Sequence, residues 1–132
     1  MACRLDVAPE MLHTTLANCV LMLYANTYDF TMLHAVTSNH AFRLVFPYVR
    51  DKTQVASQYW NALLAAYISI GCPQIKQTPL ITHELPTWDE LFRKAIQVSD
   101  VHVIKFVYTC FRESQVYAED SYRALAAKKL SE

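Results

Sequence analysis

The chain has 132 residues, enough for one ordinary domain whose core closes without disulfides or metal staples. Its 12 basic and 12 acidic residues cancel to a formal charge of zero, which removes the electrostatic reason to expect nucleic acid or an anionic membrane surface as partner. With 53% apolar residues and a single glycine, it lacks material for primed hairpin turns or phosphate-cradling loops, so β-rich folds and nucleotide binding give way to helices.

From Pro9 to about Asn26, a proline at a first helical turn is followed by apolar residues at spacings of three and four: Leu12, Leu16, Cys19, Val20 and Leu23. Asp29 is placed to cap a second helix from Phe30 to Phe46, apolar almost all round as expected of a helix enclosed by others, with Pro47 ending or kinking it. Asp51 caps a third helix, on which Val55, Tyr59, Leu63, Ala66 and Ile70 form one face before Gly71 stops it in a left-handed cap. Residues 72–86 contain Pro73, Pro79 and Pro86, cannot be helical throughout, and form the one candidate lid. Thr87 and Glu90 make a capping box for a short helix that turns Trp88, Leu91, Phe92 and Ala95 inward. Ser99 or Asp100 starts the next helix, which runs through Val101 to about Tyr117. A last helix from about Asp120 to Leu130 has Tyr122, Leu125 and Ala126 on one side and Lys128 and Lys129 at its C-terminal end. The pattern predicts an all-α domain over residues 1–132, a bundle of five or six helices without internal repeats.

Cys3, Cys19, Cys72 and Cys110 lie far apart, form no CxxC pair and follow no secretory signal peptide, so free and mostly buried thiols in a reducing, cytoplasmic setting are expected. No apolar run reaches the length of a membrane span, because His, Asn, Arg or Asp interrupts each one.

Two greasy stretches hold the residues that would carry chemistry. DFTMLHAVTSNHAFRLVFPYV contains His34 and His40, and DVHVIKFVYTCF contains His102 and Lys105; the two are expected to face one another across a helical core. On a helix, His34 and His40 diverge by about 120° and differ in height by about 9 Å, so they cannot chelate one small ion as an i, i+4 pair does. They would serve one site only if the rings lean together, or if one binds metal while the other orients substrate. His102 and Lys105 project from the same side of their helix. Together with Thr109 and Arg112 they have the spacing of a solvated polar stripe. If that stripe instead faces the core, Lys105 loses its hydration and becomes a neutral amine, a nucleophile or an acceptor of CO₂. A carbamylated lysine would supply the oxygen donor that a histidine site otherwise lacks, suiting non-haem iron with zinc as competitor. His13 and His83 are weaker candidates. Tyr59, Trp60, Tyr67, Trp88, Phe92 and Tyr108 are core residues first, and as a second reading line a flat pocket for a polyaromatic ligand. There is no GxSxG elbow, HExxH or Cys beside a His in the chain.

The segments LHAVTSNHAFRLVFPYV, QYWNALLAAYISIGCP, VHVIKFVYTCFRES and YRALAAKK, spanning about Asp29 to Lys129, resemble the C-terminal part of the questin oxidase-like family. Members often show a Leu-His, a Val-Thr pair, a second His with Ala, and an Asp-Glu-His with a Lys three positions on. Here these fall on His34, Val36, Thr37, His40, Asp100, His102 and Lys105, with Val101 in place of the usual acidic residue. The resemblance implies an all-helical, Baeyer–Villiger-type or ring-opening oxygenase acting on an aromatic polyketide such as an anthraquinone, as in fungal secondary metabolism. It also implies dependence on non-haem Fe(II), and leaves NADPH or any other reductant open. Longer members contribute further histidines from their N-terminal half, which this chain lacks. Hence a second chain completes the site, or the chain keeps the scaffold without turnover.

Three readings follow. In the first, His34 or His40, His102 and carbamylated Lys105 hold iron, which activates O₂ beside a bound quinone. In the second, a non-catalytic helical protein binds a hydrophobic ligand or pairs with a longer homologue. In the third, Lys105 forms a Schiff base or moves a proton without metal.

Overall fold

The computed structural model describes residues 5–77, 80 and 83–132, so Cys3 and Pro79 fall outside it. The described residues form six α-helices and no strand, an all-α chain as its composition implies. None of these helices is long and apolar enough to cross a membrane. The chain divides into two compact units, Met1–Lys76 and Gln77–Glu132, and the division falls inside the proline-containing stretch expected as a loop.

In the first unit a short 3-10 turn at Pro9–Met11 leads into α1 (Leu12–Thr27), which turns directly into α2 (Phe30–Val45). Tyr28 makes that turn with a left-handed φ of 48°, its N–H bonded to the Tyr24 carbonyl. Asp29 then caps α2 by accepting from Thr31 N at 2.7 Å and Met32 N at 3.3 Å. This anchorage satisfies two of the amides that a helix start leaves without partners. The two helices pack on one another, with Leu12, Leu16, Val20, Leu23 and Tyr24 of α1 and Met32, Leu33, Val36 and His40 of α2 buried. Shortening one of these leucines to alanine costs about 2–5 kcal/mol.

The second helix is not enclosed on all sides as its composition suggested. Phe30, His34, Ser38, Ala41, Leu44 and Val45 form an open face, with Phe30 and Val45 more than half exposed. At its end Pro47 sits in a 3-10 turn, Phe46–Tyr48, which ends the helix rather than kinking a longer one. Asp51 caps α3 (Lys52–Ser69), and the expected face of Val55, Tyr59, Leu63, Ala66 and Ile70 is the covered one. Tyr59 stacks on Phe42 at 4.3 Å and its hydroxyl lies 3.0 Å from Ser38 Oγ, joining α3 to α2.

The third helix ends as the lone glycine predicts. Gly71, at φ 89°, bonds through its N–H to the Ile68 carbonyl, and Cys72 N–H reaches back to the Tyr67 carbonyl. These two bonds make a Schellman cap, whose left-handed position favours a residue without Cβ. The chain beyond it is held rather than loose. Tyr67 Oη donates to the Pro73 carbonyl at 2.7 Å, while the Asn26 amide gives one bond to the Lys76 carbonyl and takes one from its N–H. The first part of the expected lid is therefore fastened to the first unit.

In the second unit α4 (Trp88–Ala95), α5 (Val101–Tyr117) and α6 (Ser121–Leu130) pack on one another. Both halves of the capping box are formed, Thr87 Oγ1 accepting from Glu90 N and Glu90 Oε2 from Thr87 N. These bonds from Thr87 hold the Glu90 carboxyl below its ordinary range. Leu91, Phe106, Val107, Cys110 and Leu125 are fully buried, and Trp88, Phe92 and Phe111 meet as rings 5.1–6.0 Å apart. Tyr122, Leu125 and Ala126 are buried on α6, the side expected from their spacing.

Candidate functional site

His34 and His40 belong to the first unit, His102 and Lys105 to the second. Within α2 the two imidazoles lie on different faces, as a six-residue separation requires. His34 is on the open face, its Nδ1 2.8 Å from the Phe30 carbonyl and its ring edge-on to Phe30 at 4.5 Å. His40 is 9% exposed, on the covered face beside Asn39, itself 2% exposed. The rings do not lean together, so α2 does not offer a two-histidine site.

On α5 the N-cap decides what His102 does. Asp100 Oδ1 accepts from His102 N at 2.9 Å and lies 3.0 Å from His102 Nδ1, so one carboxylate caps the helix and orients the ring. The bond from the His102 amide is the main reason that the Asp100 carboxyl is held below its usual range, with the ring contact adding to it. Both side chains remain about half open to solvent.

Lys105 is exposed. It shares an open stripe of α5 with Val101, Ile104, Tyr108, Arg112 and Val116, so the solvated reading of the polar line applies to it. Carbamylation and Schiff-base chemistry were expected only of a lysine turned toward the core, and Lys105 is exposed instead.

These residues do not fit a ligand set of histidines with a carbamylated lysine inside either unit. Among the described residues, no three His, Cys, Asp or Glu side chains gather closely enough to hold a metal ion. The weaker histidines are also accounted for. His13 packs edge-on to Phe46 at 4.9 Å, with Phe42 beyond it, and His83 is exposed in a turn. The thiols are less buried than expected. Cys110 is buried and Cys19 half-buried, but Cys72 is exposed, because it is carried outward just after the Gly71 cap.

The more unusual polar residues of the core were not among the candidates. Glu113 on α5 is 1% exposed, one turn from Cys110. Burial pushes the Cys110 thiol and the Tyr122 hydroxyl well up, and the Glu113 carboxylate adds to both shifts. Glu113 stands seven residues after Phe106 and three after Cys110, in step with the core face. That register was the signal that marks it as buried. Asn39 is likewise three residues after Val36 on the covered face of α2.

The chain is similar over residues 6–110 to the family described as questin oxidase-like. The match starts earlier than the segments quoted above and stops within α5, ahead of Glu113 and all of α6. No curated protein and no solved structure matched the chain.

Proposed function

Since the chain belongs to the questin oxidase-like family, we propose that it has an oxygenase-like role on an aromatic polyketide, with an anthraquinone-type ring as the substrate. The family match over residues 6–110 is the observation that supports this reading. Bound iron would supply O₂ activation. Because His34, His40, His102 and Lys105 do not form a donor set within either unit, no step is assigned to them here. A partner chain completing the site belongs to the same proposal. The test is incubation of the protein with a hydroxyanthraquinone under ¹⁸O₂, with iron and NADPH supplied, followed by mass spectrometry. Label entering the ring system, lost without protein, is the expected result; unchanged, unlabelled quinone overturns it.

A second reading is favoured by the exposure of Lys105 and His34: a non-catalytic scaffold that binds a hydrophobic ligand or pairs with a longer homologue. It expects saturable quinone binding with no turnover in the same incubation.

A further inference from the structure

A cleft in the first unit opens between α1, α3 and the segment that follows the Gly71 cap. It has a volume of about 270 Å³ and is lined by Cys19, Met22, Leu23, Leu63, Leu64, Ile75 and the rings of Trp60 and Tyr67. None of these side chains is charged. The one hydroxyl, Tyr67 Oη, is already bonded to the Pro73 carbonyl, which leaves the Tyr67 ring to serve as a wall. Ile75 is kept over the cleft by two fastenings, Tyr67 to Pro73 before it and the two-way Asn26–Lys76 pair after it. The arrangement is that of a small-molecule site: concave, apolar, aromatic-walled and pre-formed by bonds outside the cavity itself.

We propose that this cleft binds a flat, uncharged aromatic molecule, a site that deepens the polyketide role above and rests on it for the choice of ring over acyl chain. A dry cavity of roughly 150 Å³ takes a single benzene ring, so this space encloses about two fused rings and leaves the rest of a larger ring system in the cleft mouth. The lining combines two aromatic residues, Trp60 and Tyr67, with two that carry polarisable sulfur, Met22 and Cys19, a composition that favours an aromatic ligand.

Two reporters are already built in. Trp60 and Trp88 are the only tryptophans, so Trp88→Phe, which keeps a ring in its aromatic cluster, leaves Trp60 as sole emitter. Cys19 lines the cleft while Cys72 is exposed elsewhere, so the two thiols serve as probe and internal control. Burial raises the Cys19 thiol, and alkylation by N-ethylmaleimide is therefore run at mildly alkaline pH.

Unsubstituted anthraquinone is titrated against the full chain carrying Trp88→Phe. The expected result is saturable quenching of Trp60. At a free ligand concentration ten times Kd, Cys19 alkylation slows about tenfold while Cys72 is unaffected. Leu64→Trp fills the cleft and adds a second emitter there, so it is read by Cys19 alkylation alone, and the ligand-dependent slowing should be abolished. Should that variant not fold, Asn26→Ala, which releases Lys76, is expected to weaken binding by about tenfold. No saturable quenching, equal slowing of both thiols, or equal protection by dodecanol overturns the proposal. Protection of Cys19 with no ¹⁸O incorporation retains the site and removes the oxygenase role. Label incorporation that persists at full rate in a folded Leu64→Trp protein retains the oxygenase and removes the site.

Discussion

Replacing Gly71 by alanine separates conformational from steric reasoning at the end of α3. The backbone there has φ 89°, and a Cβ added to it meets nothing within 4 Å, so crowding contributes nothing to the cost. What remains is the left-handed backbone itself, which disfavours a residue with Cβ by about 1–2 kcal/mol. Against this, alanine removes freedom from the unfolded chain and returns about 0.4–1 kcal/mol. The net expectation is a loss of roughly 0.5–1 kcal/mol, read as a lower urea midpoint at unchanged slope. Gly71→Asn is the control, because asparagine tolerates the left-handed region although its side chain is larger. Conformation ranks Gly above Asn above Ala, whereas crowding would put Asn last. An alanine variant as stable as the parent, or an asparagine variant worse than alanine, would refute the reasoning.

Three further outcomes are expected. His34→Ala should change stability by no more than about 0.5 kcal/mol, while His40→Ala, at a buried position, should cost about 2–3 kcal/mol; denaturant titrations giving equal losses would contradict the two placements. Thr87→Ala removes the capping box of an eight-residue helix and should cost about 1 kcal/mol, with early loss of hydrogen-exchange protection in α4. Burial pushes the Tyr59 hydroxyl up to about 12, whereas in the unfolded chain it titrates near 10. The folded state therefore holds the proton longer. The stability this provides is whole below pH about 10 and is lost as pH rises through 12, amounting to about 1 kcal/mol at pH 11. Tyr122 shifts in the same direction and adds to that loss. Tyr59→Phe should flatten the alkaline fall in stability, and an unchanged slope would remove Tyr59 as its source.

The helices were legible because their ends are written in local chemistry. Asp29, Asp51, Thr87 with Glu90, and Gly71 each act within one turn of where they stand, so no tertiary knowledge is needed to place them. The faces were legible where the periodicity was followed, as for Val55 to Ile70. They were missed where composition was read in its place. Phe30, Leu44 and Val45 made α2 look enclosed, yet they share the open face with His34. On α5, Ile104 and Tyr108 beside Lys105 suggested burial, but they belong to its own solvent-facing stripe. Glu113 was the converse case, a charged residue in core register that residue type alone assigns to the surface. The family was legible from separated motifs, while the geometry of a ligand set was not, since it depends on where helices distant in sequence bring their side chains.

The reciprocal pair between Asn26 and Lys76 also bears on the order in which the first unit forms. The α1–α2 turn and the α3 cap join near neighbours, but this clasp closes an arc of 50 residues. Ordering such an arc from a flexible chain costs roughly 3 kcal/mol in closure entropy, so the helical seams must form first and draw the ends together. The clasp is present in the native state, and closure entropy predicts that it forms late, after the folding barrier. Contacts of that kind slow unfolding without hastening folding, and their loss appears as faster opening around Ile75 rather than slower assembly of the helices.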